Sequence, residues 1–186
     1  MNIKTNFYII TGGPGVGKTT LLNELAKRGY SFVPEVARII IKEQVEAGGD
    51  ALPWSNTRKY ADLMLSRSVT DYVRLSDSDD IYFFDRGIPD TYGYEVLMKF
   101  DIPHSLQSAV ESYRYNPVVF ILPPWKEIYE TDNERKQDYD EAVETYNVMI
   151  ATYRNLGYTT VDVPLLPVCE RADFVLNRLG FSRQNS

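Results

Sequence analysis

The sequence predicts an α/β fold in three layers, a parallel sheet covered by helices. Two observations carry that prediction. Short apolar runs alternate along the chain with longer stretches of three-to-four periodicity, the pattern of strands joined by crossover helices. A glycine-rich stretch, Gly12-Gly13-Pro14-Gly15-Val16-Gly17-Lys18-Thr19, stands directly between the first apolar run and the first helical one. The length, 186 residues, suits one well-packed domain and is short for two. With no internal repeat and no linker, residues 1–186 read as a single domain.

The elements follow in order. Phe7–Thr11 is the first strand, and a helix from Lys18 to Arg28 stops at Gly29. Ser31-Phe32-Val33 is a second strand ending at Pro34-Glu35, followed by a helix with Val36, Ile39, Ile40 and Val45 on one face, ending at Gly48-Gly49. Ser55 is the expected N-cap of a third helix carrying Ala61, Met64, Leu65, Val69 and Tyr72. The acidic run Ser76 to Asp80 reads as a solvated loop. Ile81–Phe84 is a third strand, closed by Asp85-Arg86-Gly87, and Pro89 suits the first turn of a helix over Asp90–Phe100. Pro117–Leu122 is a fourth strand and Thr159–Val163 a fifth. Between these two, Tyr129 to Asp138 is charged and aperiodic, and Val143, Tyr146, Ile150 and Tyr153 form a helical stripe that suits core packing. A closing helix is expected over Ala172–Leu179.

Composition narrows the function classes. Twenty basic against 26 acidic residues give a net charge of −6, which argues against a nucleic-acid partner held by phosphate attraction. No run approaches membrane-spanning length, and Met1–Thr11 reads as a core strand rather than a signal peptide. A single cysteine, Cys169, cannot form an internal disulfide, so a reducing cytoplasm is the expected compartment and a buried thiol the expected state. His104 is the only histidine, which excludes a histidine-based triad and a multi-histidine zinc site.

The stretch from Gly12 to Thr19 has the spacing of a Walker A phosphate loop, in the strand–loop–helix context that such a loop requires. Glycines let backbone N–H groups curl around phosphate oxygens, and the following helix adds the positive end of its dipole. ATP is therefore the expected ligand of Gly12, Gly13, Pro14, Gly15, Val16, Gly17, Lys18, Thr19 and Thr20. Lys18 is placed to reach the β/γ-phosphates, and the Thr19 hydroxyl to hold a magnesium ion. In open parallel sheets ligands sit outside the carboxyl ends of the strands. Glu35, Asp85 and Arg86 each follow an apolar run and so belong there, Asp85 in the position of a magnesium-holding Walker B carboxylate. Glu35 has a second reading, a first-turn glutamate complementing the helix dipole. Arg38, one turn on, either pairs with Glu35 or faces an anionic substrate. Residues from about 125 to 138 suit a lid closing over ATP, with Arg135 supplying positive charge where negative charge develops and Lys136 beside it.

These motifs resemble the AAA-type P-loop ATPase/kinase domains typified by the ribosylnicotinamide kinase domain of NadR-type proteins, relatives of nucleoside and nucleotide kinases. The resemblance rests on the loop at 12–19, Pro-Glu-Val-Ala-Arg at 34–38 and Phe-Phe-Asp-Arg-Gly-Ile-Pro-Asp-Thr-Tyr-Gly-Tyr at 83–94. Asp132 with Arg135, and the late run Val163-Pro164, Val168, Glu170, Arg171 and Phe174, complete it. It implies a five-stranded parallel sheet of the nucleotide-kinase type, ATP with magnesium, and a nucleoside-like small-molecule acceptor. It also implies that Glu35 or Asp85 orients or deprotonates the accepting hydroxyl, that Arg86 binds substrate or phosphate, and that Arg135 is the lid arginine. Asp90 and Tyr94 would line the acceptor pocket, with Trp54 and Arg58. Trp54 and Tyr92 could stack on a planar base or simply pack.

Two further function classes fit part of the pattern. A nucleotide-dependent switch would use Asp90-Thr91-Tyr92-Gly93, which matches the Asp-x-x-Gly of GTPases, although no Asn-Lys-x-Asp guanine motif exists in the chain. A subunit that binds nucleotide only for assembly is the third class.

Overall fold

The computed structural model describes residues 3–126 and 139–181. Five parallel strands form one sheet in the order β2-β3-β1-β4-β5. They are β1 (Phe7–Gly12), β2 (Ser31–Val33), β3 (Tyr82–Asp85), β4 (Val118–Leu122) and β5 (Thr159–Asp162). The helices are α1 (Lys18–Lys27), α2 (Val36–Ala47), α3 (Thr57–Leu75), α4 (Ile88–Leu97), α5 (His104–Ser112), α6 (Tyr139–Asn155) and α7 (Val168–Arg178).

The unbroken apolar character of β1 follows from burial on both of its faces. Phe7 and Ile9 point into a core shared with Phe84, Val119 and side chains of α3, α4, α5 and α6. Tyr8 and Ile10 point the other way, into a core with Phe83, Phe120, Leu122 and the apolar faces of α1 and α7. The expected three-layer fold is therefore the observed one. A smaller cluster of Ile40, Tyr60, Ala61 and Met64 joins α2 to α3.

The register places the functional ends. Ile10 pairs with Asp85 and Gly12 with Leu122, so the phosphate loop leaves the centre of the sheet between the ends of β3 and β4. Gly12 is required there: at φ 144° it lies so close to β4 that a Cβ would stand 2.7 Å from the Leu122 carbonyl oxygen.

Several local expectations are corrected. Helix α5 was not anticipated, although Leu106, Ala109 and Val110 form its buried face. Asn56 rather than Ser55 caps α3, its side chain accepting from the Lys59 N–H at 3.1 Å. Of the apolar residues on α2 only Ile40 is buried, with Ile39 and Val45 exposed. The buried stripe of α6 runs through Ala142, Thr145, Met149 and Tyr153 rather than through Val143, Tyr146 and Ile150. Helix α7 begins at Val168, four residues before its expected start, and Cys169 is exposed, not buried. No described helix is long and apolar enough to cross a membrane.

Candidate functional site

Two cavities are lined by residues of the phosphate loop. The first, of about 380 Å³, is walled by Gly15, Val16, Gly17, Lys18, Thr19, Thr20, Arg38 and Arg171. Gly17, in the left-handed region at φ 84°, turns the chain into α1. The Lys18 ammonium is buried and, among the described residues, donates only to the Gly13 carbonyl, at 3.4 Å. Burial, reinforced by the Arg86 charge, lowers its pKa to about 8, even though Glu35, Asp85 and Asp90 pull the other way. A desolvated cation without a carboxylate partner among the described residues, beside exposed Thr19, is a fit for phosphate.

The second cavity, about 250 Å³, is lined by Pro14 and by residues at the ends of β2 and β3. Its walls are mostly apolar, with Tyr60, Met64, Phe84, Tyr94, Tyr115 and Met149 among them, and Glu35, Asp85, Arg86 and Asp90 cluster within it. Arg86 adopts φ 72°, a left-handed conformation that a non-glycine residue holds only when its surroundings compel it. What holds it is a pair of carboxylates: its Nε donates to Glu35 Oε1 at 2.7 Å and its Nη1 to Asp90 Oδ1 at 3.4 Å.

Glu35 also meets Arg38 at 3.2 Å. It occupies the N-cap position of α2 without making a side-chain cap bond, so its carboxylate serves the arginines rather than the helix. Burial would raise its pKa, but the Arg86 charge and hydrogen bond, with Lys18 and Arg38, outweigh that and lower it to about 2. The sign follows. A carboxylate depressed in the folded state stabilises above its unfolded pKa of about 4.5 and loses that contribution as pH falls to about 2. In acid titrations of stability, Glu35→Gln is expected to remove on the order of 3 kcal/mol of this pH-dependent stabilisation. Denaturant unfolding between pH 2 and 5 checks it, and superimposable curves for variant and wild type would refute it.

Asp85 is the contrasting carboxylate. It is buried, its Oδ1 has no hydrogen-bond partner, and burial raises its pKa with Glu35 and Asp90 adding to the effect. An orphaned buried oxygen of this kind is what a cation or a proton completes.

Asp90 lines the cavity, but its oxygens are taken. Thr11 donates to Oδ1 and Tyr153 to Oδ2, both by short hydrogen bonds, and the Gly87 N–H donates to Oδ2 at 2.8 Å. With Arg86 added, a carboxylate's acceptor capacity is full. Asp90 therefore ties β1, the turn after β3 and α6 together. Removing one donor by Tyr153→Phe should cost about 1–3 kcal/mol, the usual penalty for an unsatisfied buried acceptor. An unchanged denaturation midpoint would show that the tie is not needed.

The structure brings together most of the residues expected at the site. Tyr94 lines the second cavity and Arg38 the first. Trp54 and Arg58 are corrections. Trp54 is 68% exposed, and Arg58 is bound to Glu95 at 3.0 and 3.1 Å; neither lines the cavity. Arg135 and residues 127–138 of the expected lid lie outside the described residues. Tyr153, Thr11 and Arg171 were not foreseen as site residues. Tyr153 is a core residue whose hydroxyl donates to Asp90, a dual role that periodicity does not reveal. Arg171 had only its place in the late run of the resemblance.

The sequence profile of an AAA domain matches residues 7–171. Among solved structures, the chain is similar to the NadR protein in complex with NR, with a TM-score of 0.70 and 18% identity over 97% of this chain and 53% of that one. It is also similar to thymidylate kinase from Ehrlichia chaffeensis (TM-score 0.60, 15% identity, 95% and 99% covered). Shikimate kinase from Acinetobacter baumannii in complex with shikimate is a third (TM-score 0.57, 15% identity, 96% and 95% covered). The chain thus spans about half the length of the NadR chain. No curated protein matches the sequence. The likeness to these structures is one of fold, the all-parallel five-stranded P-loop kinase fold. Since the profile covers most of the chain and includes the phosphate loop and both cavities' central residues, the chain belongs to the AAA domain family and is a P-loop kinase-like domain.

Proposed function

We propose that this chain is an ATP-dependent small-molecule kinase that transfers the γ-phosphate to a hydroxyl of a nucleoside-like acceptor. The observation that carries the reading is the largely apolar cavity lined by Pro14 of the phosphate loop, with the orphaned oxygen of Asp85 in its wall. A nucleotide switch needs a mobile loop after its nucleotide site, not a second pocket. The Asp-x-x-Gly stretch supports the kinase reading, because it lies within α4, where Asp90 is saturated and a Cβ on Gly93 would stand 2.6 Å from the Met149 sulfur.

In this reading Lys18 and the loop amides hold the phosphates. The acceptor oxygen attacks the γ-phosphorus, the bond to the β-bridging oxygen breaks, and the hydroxyl proton passes to Asp85. Asp85 suits that role better than Glu35, which two arginines keep ionised and whose work is to hold Arg86 in place. Magnesium would be held by the Thr19 hydroxyl directly and by Asp85 through water, which leaves a carboxylate oxygen free to take the proton. When bound it neutralises phosphate charge. A reducing, cytoplasmic compartment agrees with the exposed lone thiol of Cys169.

The cavity also favours an acceptor without a phosphate or carboxylate. Among the described residues its wall holds Glu35, Asp71, Asp85 and Asp90 against one guanidinium, Arg86, which Glu35 and Asp90 already occupy. An anionic acceptor would find no spare cation there.

The test is ATP turnover with magnesium across nucleosides, nucleoside monophosphates and nicotinamide riboside, with the phosphorylated product detected by mass. One compound phosphorylated in preference to its anionic counterpart supports the proposal. ATP bound normally with no acceptor phosphorylated sinks it.

A further inference from the structure

Arg171 is the one buried arginine of the described residues whose guanidinium meets no carboxylate. It lies in α7, about 150 residues along the chain from the phosphate loop, and is 6% exposed. Arg28, Arg58, Arg67 and Arg86 each meet a carboxylate oxygen. The Arg171 contacts are of a different kind: Nη1 donates to the Val16 carbonyl at 3.3 Å, the guanidinium lies 5.6 Å from the Trp125 ring centre, and Nε is buried with no partner. It also lies against the backbone of Gly17, where a Cβ would stand 2.9 Å from Nη1. Taking a charge out of water without a counter-charge is costly, and a protein keeps such an arrangement where a ligand completes it. The cavity it faces is the one walled by Lys18, Thr19 and Thr20, and it does not line the acceptor cavity.

We propose that Arg171 is a nucleotide-binding residue, contacting a phosphate oxygen of the part of the nucleotide that stays behind as ADP. The inference rests on the kinase reading of the phosphate loop and extends it to the far end of the chain. Arg171 contacts the loop at Val16 and Gly17, whereas the acceptor cavity is lined by Pro14 and not by Arg171. It therefore serves retention of the nucleotide rather than transfer.

The experiment is equilibrium titration of wild type, Arg171→Gln and Arg171→Lys with ATP, ADP and adenosine. Trp125 emission can report binding in a Trp54→Phe background, since the chain has only these two tryptophans. The expected result is a loss of about ten- to hundred-fold in affinity for ATP and ADP alike in the glutamine variant, the range for a hydrogen bond to a charged group. Adenosine affinity should not move, and lysine should recover part of the loss. Glutamine can still donate to the Val16 carbonyl, so recovery by lysine and not by glutamine separates phosphate contact from bracing of the loop. Unchanged ADP affinity in the glutamine variant, or an equal loss for adenosine, overturns the proposal. A glutamine variant that does not fold leaves the lysine variant to decide, by full ADP affinity loss against it or partial retention for it. Wild type that binds neither ATP nor ADP removes the phosphate-loop reading as well, a failure visible before any variant is compared.

Discussion

Lys18→Ala is expected to abolish nucleotide-dependent turnover, by a factor of about 10²–10³ or more, the cost of removing one preorganised donor from developing charge. The fold should survive. Lys18 is buried, its ammonium meets no carboxylate among the described residues, and burial already disfavours its charged form. Alanine therefore removes a desolvated charge from the first turn of α1 and installs the best helix former, so the thermal midpoint should hold or rise. The same residue sets a pH limit. In the nucleotide-free protein the ammonium loses its proton as pH rises through about 8, so kcat/KM for ATP should fall on the alkaline side of that value. Turnover unchanged in the alanine variant would contradict the assignment of the site as a whole.

Asp85→Asn should reduce transfer by about 10²–10⁴, the range for a positioned proton-transfer group, with a much smaller loss of ATP affinity. The amide keeps the shape of the carboxylate but can neither take a proton nor compensate a cation. Stability should not fall, since burial raises the pKa of Asp85 and its Oδ1 has no partner to lose. The comparison that decides is kcat against the ATP dissociation constant. If the two fall together, Asp85 belongs to nucleotide holding; if neither moves, it has no part in the reaction.

These two residues were legible because their signals are local. The run Phe7–Ile10, the glycines and Lys18-Thr19 lie in one strand–loop–helix unit, where backbone conformation follows from neighbours a few residues away. Asp85 and Glu35 were legible from a rule about strand ends, which needs only that an apolar run be recognised. Trp54 and Arg58 show where that style of inference stops. They precede and open α3, close in sequence to residues that do line the cavity, yet Trp54 faces solvent and Arg58 is drawn to Glu95.

The sequence by itself determined the fold class, the order of strands along the chain and the phosphate loop, because periodicity and glycine placement are read over short windows. Tertiary structure alone decided which polar groups share a cavity. A helix turns about 100° per residue, so the one-residue difference between the expected and observed stripes of α6 decides which side chains meet Gly13 and Gly93. The docking of α6 and α7 brings Tyr153 to Asp90 and Arg171 to Gly17 across separations of 63 and about 150 residues. Such partnerships depend on the summed packing of the whole sheet and its helices, which no local pattern contains.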